Sequence, residues 1–171
     1  MLFRSNVGVV AIVVNPNNPQ ADEQLQELQA AARTLGVQVE AFKAGSPSGI
    51  DTAFANLVQR RAGALLMAAD AFFNTRKEQF IVLSARHALP MIFPYREFPA
   101  AGGLMSYGTS LADAYRQEGV YAGRILKGEK PAQMPVQQAV KVELVINLQT
   151  ARALGLTVPL PMLGRADEVI E

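Results

Sequence analysis

The chain has no cysteine and one histidine, His87. The first absence excludes disulfides and thiolate metal sites; the second argues against a histidine metal cluster or a Ser–His–Asp site. A chain without cysteine suits an exported protein or a cytosolic one, so the compartment stays open. There is no basic patch or run: 16 Lys and Arg against 15 Asp and Glu leave a net charge of +1. Nucleic acid is therefore not an expected partner. No apolar run reaches the ~18 residues that a membrane helix needs. The phosphate-binding fingerprints are missing too. The first apolar run is followed by NPNNPQ, not by G-x-G-x-x-G or a P-loop, so no glycines let the backbone close around a pyrophosphate and no cofactor is expected. No nucleophile stands beside a base, no carboxylates pair on a helix face and no metal-ligand spacing occurs. An enzyme is not expected.

What is present is a globular composition. Of 171 residues half are apolar and 18% are charged, enough to bury a core and enough for one domain with a small part of another. Val7 to Val14 is wholly apolar apart from Gly8. It leads into Asn15–Pro16–Asn17–Asn18–Pro19 with no small-x-small cleavage site, so it reads as a buried strand rather than a signal peptide. Apolar character on both faces marks a central parallel strand covered on both sides.

Asn18 as cap, Pro19 at the first position and Asp22 and Glu23 in the first turn then open a helix. Leu25, Leu28, Ala32 and Leu35 carry it to Gly36. Further strands are expected at 37–42, 64–68 and 90–94, with helices over 50–61 and 75–88. A short strand at 104–107, a helix over 111–126, an extended piece at 131–135, a strand over 140–146 and a short helix over 148–154 follow. Residues 166–171 read as weakly helical. Strand–helix units in succession with short loops argue for right-handed crossovers and a parallel sheet. The expected class is α/β, a three-layer Rossmann-like (flavodoxin-like) parallel sheet.

In such a sheet ligands bind outside the carboxyl ends of the strands. The residues there are Asn15 after strand one, Asp70 with Phe72 and Phe73 after strand three, and Tyr95, Arg96 and Glu97 after strand four. Each has a plain structural alternative. Asn15 and Asn18 serve turns and caps. Asp70 is a cap acid over core phenylalanines. Arg96 and Glu97 belong to a surface ion pair that bridges two loops and contributes little. Tyr107 is a packing residue or a cleft wall. His87, near a helix C-terminus, reads as structural. The functional alternatives are an acid that pairs with a ligand ammonium while a ring packs beside it, and an arginine that clamps a carboxylate.

The run YREFPAAGGLMSYG (residues 95–108), GRILKGEK (123–130) and KVELVINLQTARALGLTVP (141–159) resemble the periplasmic substrate-binding proteins of ABC transporters, in the group associated with tryptophan- and tyrosine-type ligands. VAIVVNPNNP and AADAFFNTRKEQF agree in place. The resemblance implies one lobe of a type I periplasmic binding protein, matched to the C-terminal half only. Residues 7–104 and 131–171 would form the Rossmann-like ligand-binding lobe. Residues 105–130 would be a crossover strand and helix belonging to a first lobe that is not in this chain. The small-residue bend at 100–103 would sit just before a hinge.

The function implied is the substrate-binding component, here truncated, of a bacterial ABC importer. It would hold a small polar ligand such as an amino acid in the cleft between lobes and dock to a permease in the periplasm. Asn15, Asp70, Phe72, Tyr95, Arg96 and Tyr107 lie at family positions near that cleft. A helix over 111–126 without its usual sheet would expose an apolar side, so self-association through residues 105–127 is expected. The rival reading is a stand-alone small-molecule sensor or regulatory α/β domain.

Overall fold

A computed structural model describes residues 9–136 and 141–171. It contains one seven-stranded sheet in the order β2-β1-β3-β4-β5-β6-β7. Strand β1 (Val9–Val14) leads to helix α1 (Ala21–Leu35), β2 (Gln38–Lys43), α2 (Pro47–Gln59) and β3 (Ala64–Met67). Two helices, α3 (Ala71–Thr75) and α4 (Lys77–Arg86), precede β4 (Met91–Phe93); the short α5 (Glu97–Ala100) joins it to β5 (Met105–Thr109). Helix α6 (Leu111–Leu126), a 3-10 turn (Pro131–Gln133), β6 (Val142–Asn147), α7 (Leu148–Ala153), α8 (Leu160–Leu163) and β7 (Glu168–Ile170) complete the order.

The alternation of side chains along each strand splits the core between the two faces. Ala11, Val13, Leu65, Met67, Met91 and Phe93 meet Ile50, Phe54, Leu57, Phe80 and Leu83 of α2 and α4. Ile12, Val14 and Leu66 point the other way, where Ala21, Leu25 and Leu28 of α1 pack on them. Leu104, Met105 and Ile146 form a third cluster with Ala151, Leu156, Val158 and Met162. Five of the six residues of β1 are buried, as befits a strand between two neighbours and beneath two helical layers.

Several expectations need correction. The sheet is not wholly parallel: β5 and β6 pair antiparallel over Met105↔Ile146 to Thr109↔Val142. Strand 105–109, assigned by resemblance to a crossover, is a full member of this sheet between β4 and β6. Its alternating residues continue the two faces of β4, through Ile92↔Met105 and Phe93↔Ser106. Residues 168–170 form an edge strand instead of a weak helix. Asp167 both donates its N–H to the Leu144 carbonyl (2.8 Å) and accepts from the Leu144 N–H (2.8 Å), which docks the tail on β6. Six residues are too few to hold a helix alone, so pairing with a distant strand wins. The helix expected over 75–88 is divided, because Asp70 caps a new start at Ala71 and Arg76 leaves helical geometry (φ −109°, ψ 18°). The extended piece after Lys130 includes a 3-10 turn at 131–133. Residues 7, 8 and 140 of the expected strands lie outside the described residues.

Two glycines shape the β4–β5 turn. Gly102 has φ +105°, a region that side chains with a Cβ rarely enter. A Cβ on Gly108 would sit 2.1 Å from the Pro94 carbonyl oxygen, so no side chain fits where β5 passes the end of β4. Helix α6 is different in kind. It has no buried residue, and Tyr115 (66% exposed), Val120, Ile125 and Leu126 (87% exposed) face outward. Its local ties are the Ser110 cap, a Tyr121 hydroxyl that donates to the Pro135 carbonyl (2.6 Å) and the Arg124–Glu129 ion pair.

Candidate ligand-binding site

The carboxyl ends of β1, β3 and β4 lie side by side, because β1 pairs with β3 and β3 with β4 in parallel register. That places Asn15, Asp70 and Tyr95 on adjoining loops, the position where open α/β sheets take ligands. Asn15 and Asp70 are both buried (7% and 8% exposed). The Asn15 amide donates to Asp70 Oδ1 (3.1 Å), and Asn15 Oδ1 accepts from the Asn17 N–H (3.0 Å). Asn18 donates to Asp70 Oδ2 (3.0 Å), and the Phe73 N–H donates to Oδ1 (3.1 Å). Asp70 therefore caps α3 and ties two strand tips with three accepted hydrogen bonds. Its carboxylate is occupied by the protein itself.

Asn18 does two jobs that a cap assignment alone missed. Its Oδ1 accepts from the Gln20 N–H (2.9 Å), while its amide crosses to β3, to Asp70 and to the Ala69 carbonyl (3.3 Å). Helix α1 consequently begins at Ala21, without a side-chain cap at Gln20.

Phe72 is partly buried against the core, 5.8 Å from Phe73, with the Arg76 guanidinium 5.7 Å above its ring. Tyr95 is also half-buried against that core. Burial first, then the carboxylate of Glu97, the Tyr115 phenol and the Asp70 carboxylate, push the Tyr95 phenol upward in pKa.

Arg96 does not join them. Its guanidinium donates to Glu168 (2.6 Å) and lies 4.0 Å from Glu143, joining the tip of β4 to β6 and β7. The hydrogen bond to Glu168 is the main reason that its pKa rises further, so it is a permanent cation. Arg96 also lines a charged hollow of about 450 Å³ with Ser110, Asp113, Arg116, Glu143 and Glu168. Within it the Ser110 hydroxyl, then Lys141 and Arg96, hold the Glu143 carboxyl below its usual range. The Glu143 and Glu168 partners had no local signal: they are 47 and 72 residues further along the chain, and antiparallel pairing and a tail strand bring them in.

Tyr107 is 65% exposed, on the opposite face of the sheet. It borders an apolar groove of about 770 Å³ between α1 and α8, with Leu66, Ile92, Met105, Leu144 and Met162. So the strand tips bring together Asn15, Asp70, Tyr95 and, beside them, Phe72; Arg96 and Tyr107 lie on either side. His87 ends α4 and stacks on Phe54 (centroids 6.2 Å apart), as a structural residue does. Among the described residues no group of three or more His, Cys, Asp or Glu is placed to hold a metal. No described helix is long and apolar enough to cross a membrane.

The polar network thus sits at adjoining strand tips of an α/β lobe, the position where open α/β sheets take ligands. The chain belongs to the ABC transporter substrate-binding protein family, whose model matches residues 3–170. The fold is shared with solved structures of bacterial proteins. An ABC domain from Streptococcus pneumoniae, in complex with L-Trp, superposes with a TM-score of 0.82 at 24% identity, covering 96% of this chain and 55% of that one. A conserved domain protein from Vibrio cholerae gives 0.84 at 24% identity, with the same coverage. The ligand-free, open structure of a substrate-binding protein with adhesive properties from Clostridium difficile gives 0.70 at 18%, covering 98% and 56%. The chain thus spans about half the length of these relatives. No curated protein matches it in a sequence search.

Proposed function

We propose that this chain provides one wall of the solute-binding cleft in the substrate-binding component of a bacterial ABC importer. The solute is a small polar molecule such as an amino acid, and the second wall is a lobe of the kind that fills the other half of the longer relatives. The component works outside the cytoplasm, closes on its solute and delivers it to a permease. It carries out no chemistry. The observation that supports this reading is the family match over residues 3–170, read together with the pinned strand tips. L-Trp in the pneumococcal relative makes amino acids the first solutes to test.

Residues 111–130 are proposed to pack against that second lobe, since α6 buries nothing in this chain. In the chain alone, the same apolar side is proposed to bring two copies together through residues 105–127. Two measurements test the reading. Titration of the ¹⁵N-labelled chain with the twenty amino acids should shift amide signals of residues 15–18, 69–73 and 95–97. Signals that stay fixed under every solute would refute it. Native mass spectrometry should show a dimer; a monomer at high concentration would refute the self-association.

A further inference from the structure

We propose that the apolar groove between α1 and α8 is the seat of helix α6 from a second copy of this chain, and that the second copy receives the first one's helix in return. The inference rests on the self-association proposed above and deepens it, by naming the surface that α6 covers. The groove, of about 770 Å³, is floored by Leu66, Ile92 and Met105 and walled by Ala31 of α1 and Met162 of α8. Glu27 is the one charged residue of its lining. Open apolar surface of this extent marks an interface. The groove is also continuous with the segment proposed to associate, since Met105 and Tyr107 belong to both.

Helix α6 matches the groove in polarity and in charge. Ala112, Tyr115, Ala122 and Leu126 are all exposed and recur at the spacing of one helix side. Arg116 borders that stripe on one edge and Glu118 on the other. The groove carries the opposite charges: Glu27 on its α1 rim, and Arg165 just past α8, in the hollow that shares Tyr107, Leu144 and Met162 with it. A helix laid there sets Arg116 toward Glu27 and Glu118 toward Arg165 in one direction only. Charge therefore fixes the direction of the helix as well as its seat.

In its own chain α6 does not reach the groove. No residue of α6 lines it, and Ser110, the single residue between β5 and α6, is held by its N–H to the Lys141 carbonyl (2.9 Å). Pairing α6 with α6 would bury the stripe and leave both grooves open. Reciprocal seating covers two helices and two grooves about one two-fold axis. A helix of 16 residues is about 24 Å long. Two of them, each buried along its length, bring the interface toward the roughly 1,600 Å² that stable pairs bury.

The test uses the full chain, which has no cysteine of its own. Chains carrying Ala31→Cys are mixed with chains carrying Ala122→Cys and treated with a short bis-maleimide. Cross-links should join unlike chains, with like pairs at background. Separately, Ala31→Arg gains an i,i+4 partner in Glu27, which favours α1, but it carries a charge into the seat. It should keep the circular dichroism of wild type and raise the dimer dissociation constant about 100-fold in native mass spectrometry.

Cross-links chiefly between like Ala122→Cys chains would show α6 paired with α6 and overturn the seat. So would a dimer with no cross-link between unlike chains, or a dimer that Ala31→Arg leaves unchanged. Each of these leaves self-association standing. A wild-type chain that stays monomeric at high concentration would sink both, and none of the outcomes bears on the solute-binding reading.

Discussion

Asp70→Ala is the perturbation that separates a structural carboxylate from one reserved for ligand. Asp70 accepts from Asn15, Asn18 and the Phe73 N–H at 3.0–3.1 Å, and the bonds to Asn15 and Phe73 are buried. Hydrogen bonds to a charged acceptor contribute about 1.5–3 kcal/mol each when their loss strands a buried donor. Asn18 is nearer the surface and regains water, so its share is smaller. Because the three bonds meet on one carboxylate they do not add fully, and we expect a loss of about 3–5 kcal/mol.

For a chain of this size that corresponds to a fall of roughly 10 °C in Tm. Asp70→Asn keeps an acceptor for Asn15 and Phe73 but turns an amide toward the Asn18 amide, and should cost about 1–2 kcal/mol. Urea unfolding followed by circular dichroism measures both. A loss below about 1 kcal/mol for the alanine variant would refute the network as a structural anchor. So would equal losses for the two variants. A gain in stability would mean that the carboxylate is held against its own preference, as a ligand group is.

Two further predictions concern glycine and pH. Gly108→Ala drives a methyl group into the Pro94 carbonyl and should cost about 2–4 kcal/mol in the same urea assay. Gly119→Ala, in α6 where a Cβ meets nothing within 4 Å, should instead stabilise by about 0.5–1 kcal/mol; the reverse order would overturn the packing described for β4 and β5. Asp113, Glu129 and Glu143 all have lowered pKa values: Arg116 and then Gln117 act on Asp113, Arg124 on Glu129, and Ser110, Lys141 and Arg96 on Glu143. The unfolded chain therefore binds more protons than the folded one as acid is added. These groups contribute stability above their unfolded pKa values and lose it as pH falls through the folded ones. Glu143→Gln should flatten the acid limb of a stability–pH curve; an unchanged limb would show that Glu143 does not take part.

How much of the site could be read in advance differs from residue to residue. The strand-tip rule pointed to Asn15, Asp70 and Tyr95, because apolar runs mark where strands end and Gly, Pro and Asn mark the loops. It said nothing of what those side chains hold. The amide of Asn18 reaches Asp70 across 52 residues, a contact that depends on β1 and β3 being neighbours. A surface ion pair bridging two loops could be expected of Arg96, but that its partner is Glu168, 72 residues further on, depends on the tail strand.

By itself the sequence determined the α/β class, the succession of strands and helices as far as β3, the boundaries of α6 and the family resemblance. Those follow from local periodicity, from caps and breakers, and from motif runs such as YREFPAAGGLMSYG. Only the tertiary structure decided that β5 belongs to this sheet, that β6 runs antiparallel to it and that the last residues form a seventh strand. The reason is physical. A strand's partners are chosen by hydrogen-bond ladders and by which face its side chains must bury, and both are properties of chain segments far apart in sequence.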